Sequence, residues 1–194
     1  MRNVWVSTDV SVEPVTSAEA KVFCKVSGTT DDSIFTLLIK QARETIEQGC
    51  NISLAERTLV AEYDKLPRDG RIQLPYAPVK SVTSVITIDQ EDDETTLTNN
   101  TEWYDTGYPW PTLRIASFWS GYIQKIRVTY VAGYGATGCP ALPAPLKVAI
   151  LKEVLAQYYV REGIAGGDLV SAVRRESREL AGHYSRNSFF APEA

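Results

Sequence analysis

Residues 126–159 read IRVTYVAGYGATGCPALPAPLKVAILKEVLAQYY, and this stretch decides the fold. It opens with alternating β-branched, aromatic and polar residues, a pattern that predicts a strand. A glycine-rich turn and three prolines follow, at positions 140, 143 and 145. The last proline can occupy the first turn of a helix, and the apolar residues after it recur at helical spacing. The stretch therefore predicts a strand, a glycine loop and a long helix near residues 145–162.

The glycine loop has the spacing of a cofactor-binding motif. Gly133, Gly135 and Gly138 have the GxGxxG spacing of a dinucleotide-binding loop and follow a predicted strand. In that motif the glycines lead directly into a helix, whose free amides hold the pyrophosphate. Proline lacks an amide donor and keeps the preceding residue extended, so no helix begins at Gly135 or runs through Pro143. We therefore expect no bound dinucleotide.

The composition bounds the kind of protein. The chain has 194 residues, 44% of them hydrophobic and 23% charged, which is ordinary for a soluble globular protein of one medium or two small domains. Its net charge of -4 argues against a protein whose main task is to grip phosphate backbones, but not against contact with passing DNA. The three cysteines are widely spaced and form no CxxC pair, so neither a disulfide framework nor a zinc site is expected, and a reducing cytoplasm is the simplest setting. No apolar run is long enough to span a bilayer, so we expect no membrane association.

Helical patterns occupy the N-terminal part. Thr16 and Glu19 have the spacing of a capping box and predict the start of a short first helix. A second, amphipathic helix can be capped by Asp31 or Thr30 and is expected to stop at Gly49. Its apolar positions are Ile34, Leu37, Leu38, Ala42 and Ile46.

Short β-type segments fill the middle of the chain. They are rich in β-branched residues and are bounded by proline, glycine and aspartate turns. They lie at residues 59–63, 71–74, 82–88, 113–115 and 125–131. We expect one antiparallel sheet or a small barrel.

An acidic run lies between two of these segments, where residues 89–94 carry five acids in six positions. Such a run is most often a solvated hairpin tip. A calcium loop is the alternative, since Asp89, Glu91 and Asp93 alternate, but the glycine and the terminal bidentate glutamate of an EF-hand are missing. We therefore expect no metal.

A glycine-rich break and a last helix close the chain. Gly163, Gly166 and Gly167 predict a hinge or a tight reversal. Asp168 can cap a helix whose shared apolar face is Leu169, Val173, Leu180 and Tyr184. Its other face is charged and includes Arg174, Arg175 and Arg178.

These patterns together predict an α+β fold. Its helical core has two N-terminal helices, a long helix and a C-terminal helix, and an antiparallel β-sheet or small β-barrel is inserted into it. The expected parts are an N-terminal helical part (1–53), an inserted β region (54–135), a C-terminal helical part that packs on the N-terminal helices (136–186) and a flexible tail (187–194).

No arrangement of residues supports catalysis. His183 is the single histidine and is expected at the surface, at the end of the last helix. One histidine cannot build a zinc site, and no nucleophile elbow, phosphate loop or HExxH helix is present. We expect no catalytic residue and no cofactor.

Seven aromatic residues cluster between residues 103 and 122, among them Trp103, Trp110 and Trp119. Aromatic rings on a β scaffold can stack on sugars or bases, or can anchor an interface. They are more often part of a core. The sequence does not fix their orientation.

The motifs, taken in order, resemble the head-tail connector family of tailed bacteriophages and phage-like gene transfer agents, also called head-completion or adaptor proteins. The similar segments are PVTSAEAK at 14–21, GRIQLP at 70–75, PVKSV at 78–82, VTYVAGYG at 128–135 and LPAPLKVAI at 142–150. The order and spacing of these segments carry the match, which spans residues 13–162. The segment after Gly163 is the least similar part.

The resemblance implies a structural, non-enzymatic protein of the virion, made in the bacterial host cytoplasm and located at the head-tail interface. It implies a homo-oligomeric ring of about twelve copies below the portal protein. Such a ring would extend the DNA channel and offer a platform to a tail-completion or tail-terminator protein. Double-stranded DNA would pass without tight binding, which suits a net-acidic chain.

The connector interpretation suggests where contacts lie. A ring closes through a heterologous interface, in which one face of a subunit fits a different face of its neighbour. The candidate residues for it are Trp103, Trp110, Trp119, Tyr158 and Tyr159. The candidates for portal contact are Arg174, Arg175 and Arg178 with Phe189 and Phe190 as anchors, on a segment that the glycine hinge would let reorder.

Two other classes of protein stay open. One is a β-rich carbohydrate- or receptor-binding module of a virion, motivated by the three tryptophans of the aromatic cluster. The other is a small enzyme, which would need a pocket that joins His183 or a cysteine to a base.

Overall fold

The computed structural model describes residues 2–65, 67, 69–107, 111–116, 123–135, 141–161, 163 and 167–185. The chain forms two compact units. The sheet unit consists of Met1–Ser11 and Glu56–Cys139, and the helical unit of Val12–Ala55 and Pro140–Ala194. Within the described ranges, every strand belongs to the first unit and every α-helix to the second. The predicted α+β fold class is confirmed.

The strands of the sheet unit form two antiparallel sheets, and neither closes into a barrel. One sheet has five strands in the order β1-β2-β8-β4-β5, and the other has three in the order β3-β7-β6. The strands are β1 (Arg2–Thr8), β2 (Arg57–Tyr63), β3 (Arg71–Gln73), β4 (Val79–Ile88), β5 (Glu94–Thr96), β6 (Trp103–Asp105), β7 (Thr112–Ile115) and β8 (Lys125–Ala132).

The strand β8, which opens the decisive stretch, lies in the middle of the five-stranded sheet. Its even-numbered residues are fully buried and its odd-numbered residues are half-buried, which is the alternation of a strand with one face in the core. The buried hydroxyl of Tyr130 donates a hydrogen bond to the carbonyl of Pro75 at 2.9 Å. A polar group deep in the core is thereby satisfied.

The strand β4 explains an irregular sequence pattern. Val79, Val82 and Val85 are three residues apart, which a regular strand would place on alternating faces. Two irregularities in the pairing with β8, between Val79 and Ser81 and between Val82 and Ser84, each add an extra residue to β4. These bulges bring all three valines to the core.

The strand β1 was not predicted, and it changes the division of the chain. The pattern assigns residues 1–53 to a helical part, whereas Met1–Ser11 belong to the sheet unit. The reason is that β1 pairs antiparallel with β2, from Arg2 opposite Tyr63 to Thr8 opposite Thr58. A partner so distant in sequence leaves no local signature.

The helical unit contains α1 (Ser17–Cys24), α2 (Asp32–Cys50), α3 (Ala144–Arg161) and α4 (Gly167–Gly182). The helix α3 packs against the other three. It buries side chains around most of its circumference, as a central helix must. As predicted, it begins at the prolines, with Pro145 in its first turn, and not at the glycine loop.

The helix ends show which capping signals were reliable. The predicted capping box is present, because Thr16 Oγ1 accepts the Glu19 amide at 3.2 Å and Glu19 Oε2 accepts the Thr16 amide at 3.0 Å. The predicted stop of α2 at Gly49 is wrong. The helix continues to Cys50 and ends with Asn51 in the left-handed conformation, φ 56°.

The buried faces of two helices differ from the predicted ones. In α2, Leu37 is 64% exposed, and the core side chains are those of Phe35, Leu38, Ile39, Ala42, Arg43 and Ile46. In α4, Leu169 is 61% exposed, and the buried residues are Val170, Ser177 and Ala181. Small side chains let α4 approach α3 closely, and Ser177 Oγ donates to the carbonyl of Ala149 at 2.8 Å.

In the described ranges no helix is both long and apolar enough to cross a membrane.

Candidate interaction surfaces

The described residues offer little for catalysis. The thiols of Cys24 and Cys50 are buried, and burial raises the pKa of Cys24 to about 11 and raises that of Cys50. Both therefore stay protonated at neutral pH and are poor nucleophiles. His183 is exposed just after α4, as predicted. In the part of the chain that the structure describes, no three His, Cys, Asp or Glu side chains converge as a metal site.

The aromatic candidates for a subunit interface divide into buried and undescribed residues. Trp103 is 3% exposed and its indole nitrogen donates to the carbonyl of Leu97 at 3.2 Å, so its ring lies in the core. Trp110 and Trp119 lie outside the described residues. The structure does not present Trp103 to a neighbouring subunit.

The paired tyrosines of α3 also face inward. Tyr158 is 7% exposed, stacks on Phe35 with ring centroids 5.0 Å apart, and donates its hydroxyl to Asp31 Oδ2 at 3.2 Å. This contact uses the side chain that was expected to cap α2, which makes no capping hydrogen bond. Tyr159 is half-buried, with its ring 6.3 Å from that of Tyr158. Tyr158 therefore joins α2 and α3, and the two tyrosines do not form an exposed pair.

The arginines proposed for portal contact lie in different environments on α4. Arg174 approaches the buried carboxylate of Glu153 at 3.4 Å, so it belongs to the α3–α4 packing. Arg175 is exposed and pairs with Glu179 at 3.8 Å, one turn along the helix. Arg178 is exposed. Phe189 and Phe190, the proposed anchors, lie outside the described residues.

The glycine hinge is described in part. Gly163 has φ +65°, and its amide donates to the carbonyl of Val160 at 3.2 Å, which ends α3. Gly167 is the first residue of α4, so Asp168 lies inside the first turn and is not the cap. Gly166 lies outside the described residues.

The acidic run is a solvated hairpin tip between β4 and β5, as predicted. Asp89 Oδ1 accepts the amides of Glu91 and Asp93, each at 2.9 Å, and so fixes the turn from within. The other end is held by Glu94, whose carboxylate contacts Arg127 at 2.7 Å. Glu91, Asp92 and Asp93 point into solvent. We call residues 89–94 the acidic hairpin.

The sequence did not reveal a second charged surface, on the three-stranded sheet. A cleft of about 680 Å³ lies there, which we call the basic cleft. Arg71 of β3 and Arg114 of β7 are paired directly opposite each other and both are exposed. Its lining residues are Tyr63, Pro67, Asp69, Arg71, Ile72, Gln73, Thr106, Thr112 and Arg114. Two guanidinium groups therefore share one rim.

Backbone contacts hold the two arginines in register. The amide of Ile115 donates to the carbonyl of Gly70 at 2.9 Å, next to Arg71. Gly70 has φ +67°, and a side-chain carbon there would lie 2.8 Å from the carbonyl oxygen of Ile115. Only glycine fits this turn without a shift of the backbone. The turn thus fixes where β3 meets β7 and where Arg71 meets Arg114.

A family model described as "Head completion protein" matches residues 14–180. The chain belongs to the Head completion protein family. The predicted resemblance to head-completion proteins is thereby confirmed. The family is one of structural virion proteins. No curated protein matches this chain with significant similarity.

Solved structures with the same fold come from gene transfer agent (GTA) particles. A chain of the neck of an empty GTA particle, computed with C6 symmetry, has 20% identity and a TM-score of 0.69, covering 91% of this chain and 95% of its own length. A chain of the virion of a native GTA particle has 21% identity and a TM-score of 0.70, covering 90% and 94%. A chain of the neck of a native GTA particle, computed with C12 symmetry, has 22% identity and a TM-score of 0.64, covering 91% and 94%. At these identities the similarity shows that this chain has the same fold as the three GTA chains.

Proposed function

We propose that this head-completion protein is a head-tail connector of a tailed phage or phage-like particle. It forms a ring below the portal protein, extends the DNA channel and offers the platform on which the tail is attached. The observation that carries the proposal is the family match over residues 14–180. The shared fold with chains from GTA necks supports it.

The ring is proposed to contain about twelve copies, related head to tail. One similar chain belongs to a neck computed with C12 symmetry, which supports this number. For each subunit we propose an inserted β region between N-terminal and C-terminal helical parts, with Met1–Ser11 added to the β region. The partners on either side of the ring are the portal and a tail-completion or tail-terminator protein.

DNA is proposed to pass through the ring without being held. Affinity for duplex DNA comes from many lysine and arginine contacts that release counterions. This chain has 20 basic and 24 acidic residues, so it supplies little of that affinity. A channel protein of this charge lets the duplex slide.

The helix α4 and the tail are proposed to contact the portal. Arg175 and Arg178 are exposed on α4 and can meet acidic groups, whereas Arg174 is held by Glu153. The glycines at 163, 166 and 167 would let this segment reorder on contact, with Phe189 and Phe190 as apolar anchors. Deleting residues 168–194 should abolish portal binding, and retention of binding would refute this part.

The first experiment is the mass of the purified protein, by light scattering, alone and with its cognate portal. A large ring, or a subunit that joins the portal in many copies, is the expected result. A monomer that ignores the portal would contradict the connector function. The carbohydrate-binding alternative would then be tested by glycan-dependent fluorescence of Trp110 and Trp119, since Trp103 is buried.

A further inference from the structure

We propose that the basic cleft of one subunit receives the acidic hairpin of the next copy of this chain. The contact would set the head-to-tail order of the ring. This inference rests on the proposed ring, and it names two surfaces that the ring would bring together. It differs from the aromatic interface expected from the sequence, because two of those aromatic residues, Trp103 and Tyr158, are buried.

The cleft carries positive charge that the single chain leaves uncompensated. Arg71 and Arg114 are directly opposite across β3 and β7, and like charges in that arrangement repel each other. Neither guanidinium forms an ion pair with the residues that the structure describes. The carboxylate of Asp69 lies in the cleft and accepts the backbone amide of Arg71 at 3.2 Å, and its single negative charge offsets at most one of the two guanidinium charges. Anionic groups from outside would relieve the repulsion.

The floor and wall of the cleft add hydrogen-bonding groups. Gln73 and Thr112 form the next cross-strand pair on the same face of the sheet as the arginines. Thr106 Oγ1 accepts the amide of Thr112 at 2.9 Å, which fixes the wall. The hydroxyl of Tyr63 donates to the carbonyl of Gln73 at 2.7 Å and ties the floor to β2. The cleft is therefore held in shape by its own hydrogen bonds, which suits the binding of a short segment.

The acidic hairpin has matching properties. Glu91, Asp92 and Asp93 are exposed, and none forms an ion pair within the described part of the chain. Asp89 is engaged with two amides of the turn, so the three carboxylates are presented on a fixed backbone. Little conformational entropy would be lost when such a turn docks. Arginine is the side chain best suited to carboxylates, because its planar fork can bind two oxygens at once.

The two surfaces lie on different strands of the same unit, as a heterologous contact requires. The cleft borders β2 through Tyr63, and β2 is next to one edge of the five-stranded sheet. The hairpin leads into β5, which forms the opposite edge. Three strand spacings, about 14 Å, separate β2 from β5. The cleft and the hairpin are therefore separate surfaces of one unit, so the hairpin of a neighbouring copy can occupy the cleft.

Duplex DNA is a poorer occupant of the cleft than the hairpin. A duplex is held by many phosphate contacts spread along its length. The cleft offers two arginines, with Asp69 beside them. A single turn with three adjacent carboxylates matches this compact charge better. DNA binding is therefore one outcome that the test must separate.

The test reverses the charges on each surface. One variant carries Arg71→Glu and Arg114→Glu, and the other carries Glu91→Lys and Asp93→Lys. Each alone should weaken self-association at least about tenfold, measured by sedimentation and by copies bound per portal ring, because like charges then face each other. Mixed in equal amounts, the two variants should associate again, since each supplies the surface that the other lacks. A chain with all four substitutions should also recover.

A matched control separates this contact from a change in net charge. Lys25→Glu with Lys40→Glu changes the net charge as much as the cleft variant does, at two exposed sites of the helical unit. It should associate like the unmodified chain. Circular dichroism should show all variants folded, because the substituted side chains are exposed.

The outcomes separate the inference from the proposed function. An unmodified chain that neither self-associates nor joins the portal contradicts the ring itself. If the unmodified chain assembles and the reversed variants assemble equally well, the ring stands and this contact is wrong. The contact is also wrong if the variants fail and their mixture does not recover. If the unmodified chain retains DNA and the cleft variant does not, the cleft binds nucleic acid rather than the hairpin.

Discussion

Two arginine clusters, one in each unit, differ in how their charge is compensated. In the helical unit Arg43 is 1% exposed, and its guanidinium contacts Glu13 Oε2 at 2.8 Å and Glu47 Oε2 at 3.0 Å. In the sheet unit Arg71 and Arg114 are exposed opposite each other. The first cluster is complete within the chain, whereas the second has positive charge left over. An arginine that is paired with carboxylates of its own chain stabilises the subunit. An arginine without such a partner can bind an acidic group of another molecule.

The Arg43 cluster also links segments of the helical unit. Glu13 precedes α1, Arg43 and Glu47 belong to α2, and Glu47 Oε1 accepts the amide of Leu54 at 2.8 Å. Burial alone would lower the pKa of Arg43, but the hydrogen bonds and charges of Glu13 and Glu47 raise it. The guanidinium therefore stays charged in the interior. Removing it would leave the buried carboxylate of Glu47 without its counter-charge.

The largest effect is expected from Arg43→Ala. The substitution should lower the free energy of unfolding by about 3–5 kcal/mol, because one half of a buried ion pair remains. Urea denaturation followed by circular dichroism measures this. Arg175→Ala, at an exposed pair on α4, is the control and should cost less than about 0.5 kcal/mol. Equal losses in the two variants would contradict the contrast between buried and exposed arginines.

A second substitution acts on the turn that positions the basic cleft. Gly70→Ala should destabilise the chain by about 2 kcal/mol, because the new carbon meets the carbonyl of Ile115 in a left-handed turn. Self-association should fall as well, since Arg71 loses its register. Gly107→Ala also has positive φ but no atom within 4 Å, so it isolates the backbone strain from the clash. If the two alanine variants are equally stable, the close approach at Gly70 does not contribute to the loss of stability.

The N-terminal cap of α1 should make stability depend on pH. Hydrogen bonds from Lys147 and from the amide of Thr16 lower the pKa of Glu19. A lowered pKa adds stability above the ordinary value of 4.5, and this stability is lost as the pH falls through the folded-state pKa. Glu19→Gln should therefore flatten the acid side of the stability profile by less than about 1 kcal/mol, since the pair is half-exposed. Denaturation at pH 3 and pH 7 tests this, and Glu91→Gln, in the exposed hairpin, should leave the profile unchanged.

The smallest change in stability is expected at the two exposed arginines of the basic cleft. The double substitution Arg71→Ala and Arg114→Ala should leave the free energy of unfolding within about 0.5 kcal/mol of the original, or raise it slightly, because it removes a repulsion. The same denaturation experiment measures it. A loss of 2 kcal/mol would mean that the two arginines stabilise the subunit itself.

Local patterns predicted several elements well. Thr16 and Glu19 form their capping box, α3 starts at the prolines, β8 alternates as expected, and the acidic run is a hairpin tip. In each case the deciding interactions lie within a few residues of sequence. The family resemblance rested on such short segments as well, and the family match confirmed it.

Features set by distant partners were missed. The strand β1 depends on β2, and the short strands β5 and β6 depend on their neighbours. Arg43 looks like a surface residue until Glu13 and Glu47 are placed around it. The opposition of Arg71 and Arg114 is a matter of strand register, which no local pattern encodes. The buried Trp103 shows the same limit, since its partner Leu97 lies on a connection that the sequence left unassigned.

The order of the strands has a consequence for the timing of synthesis. Of the strands that the structure describes, β8 is the last to leave the ribosome, yet it lies between β2 and β4 and pairs with both. The five-stranded sheet therefore cannot close until residue 132 has been made, and the central helix of the other unit is made later still. The sheet unit is therefore complete in sequence before the helical unit, whose second half follows residue 139.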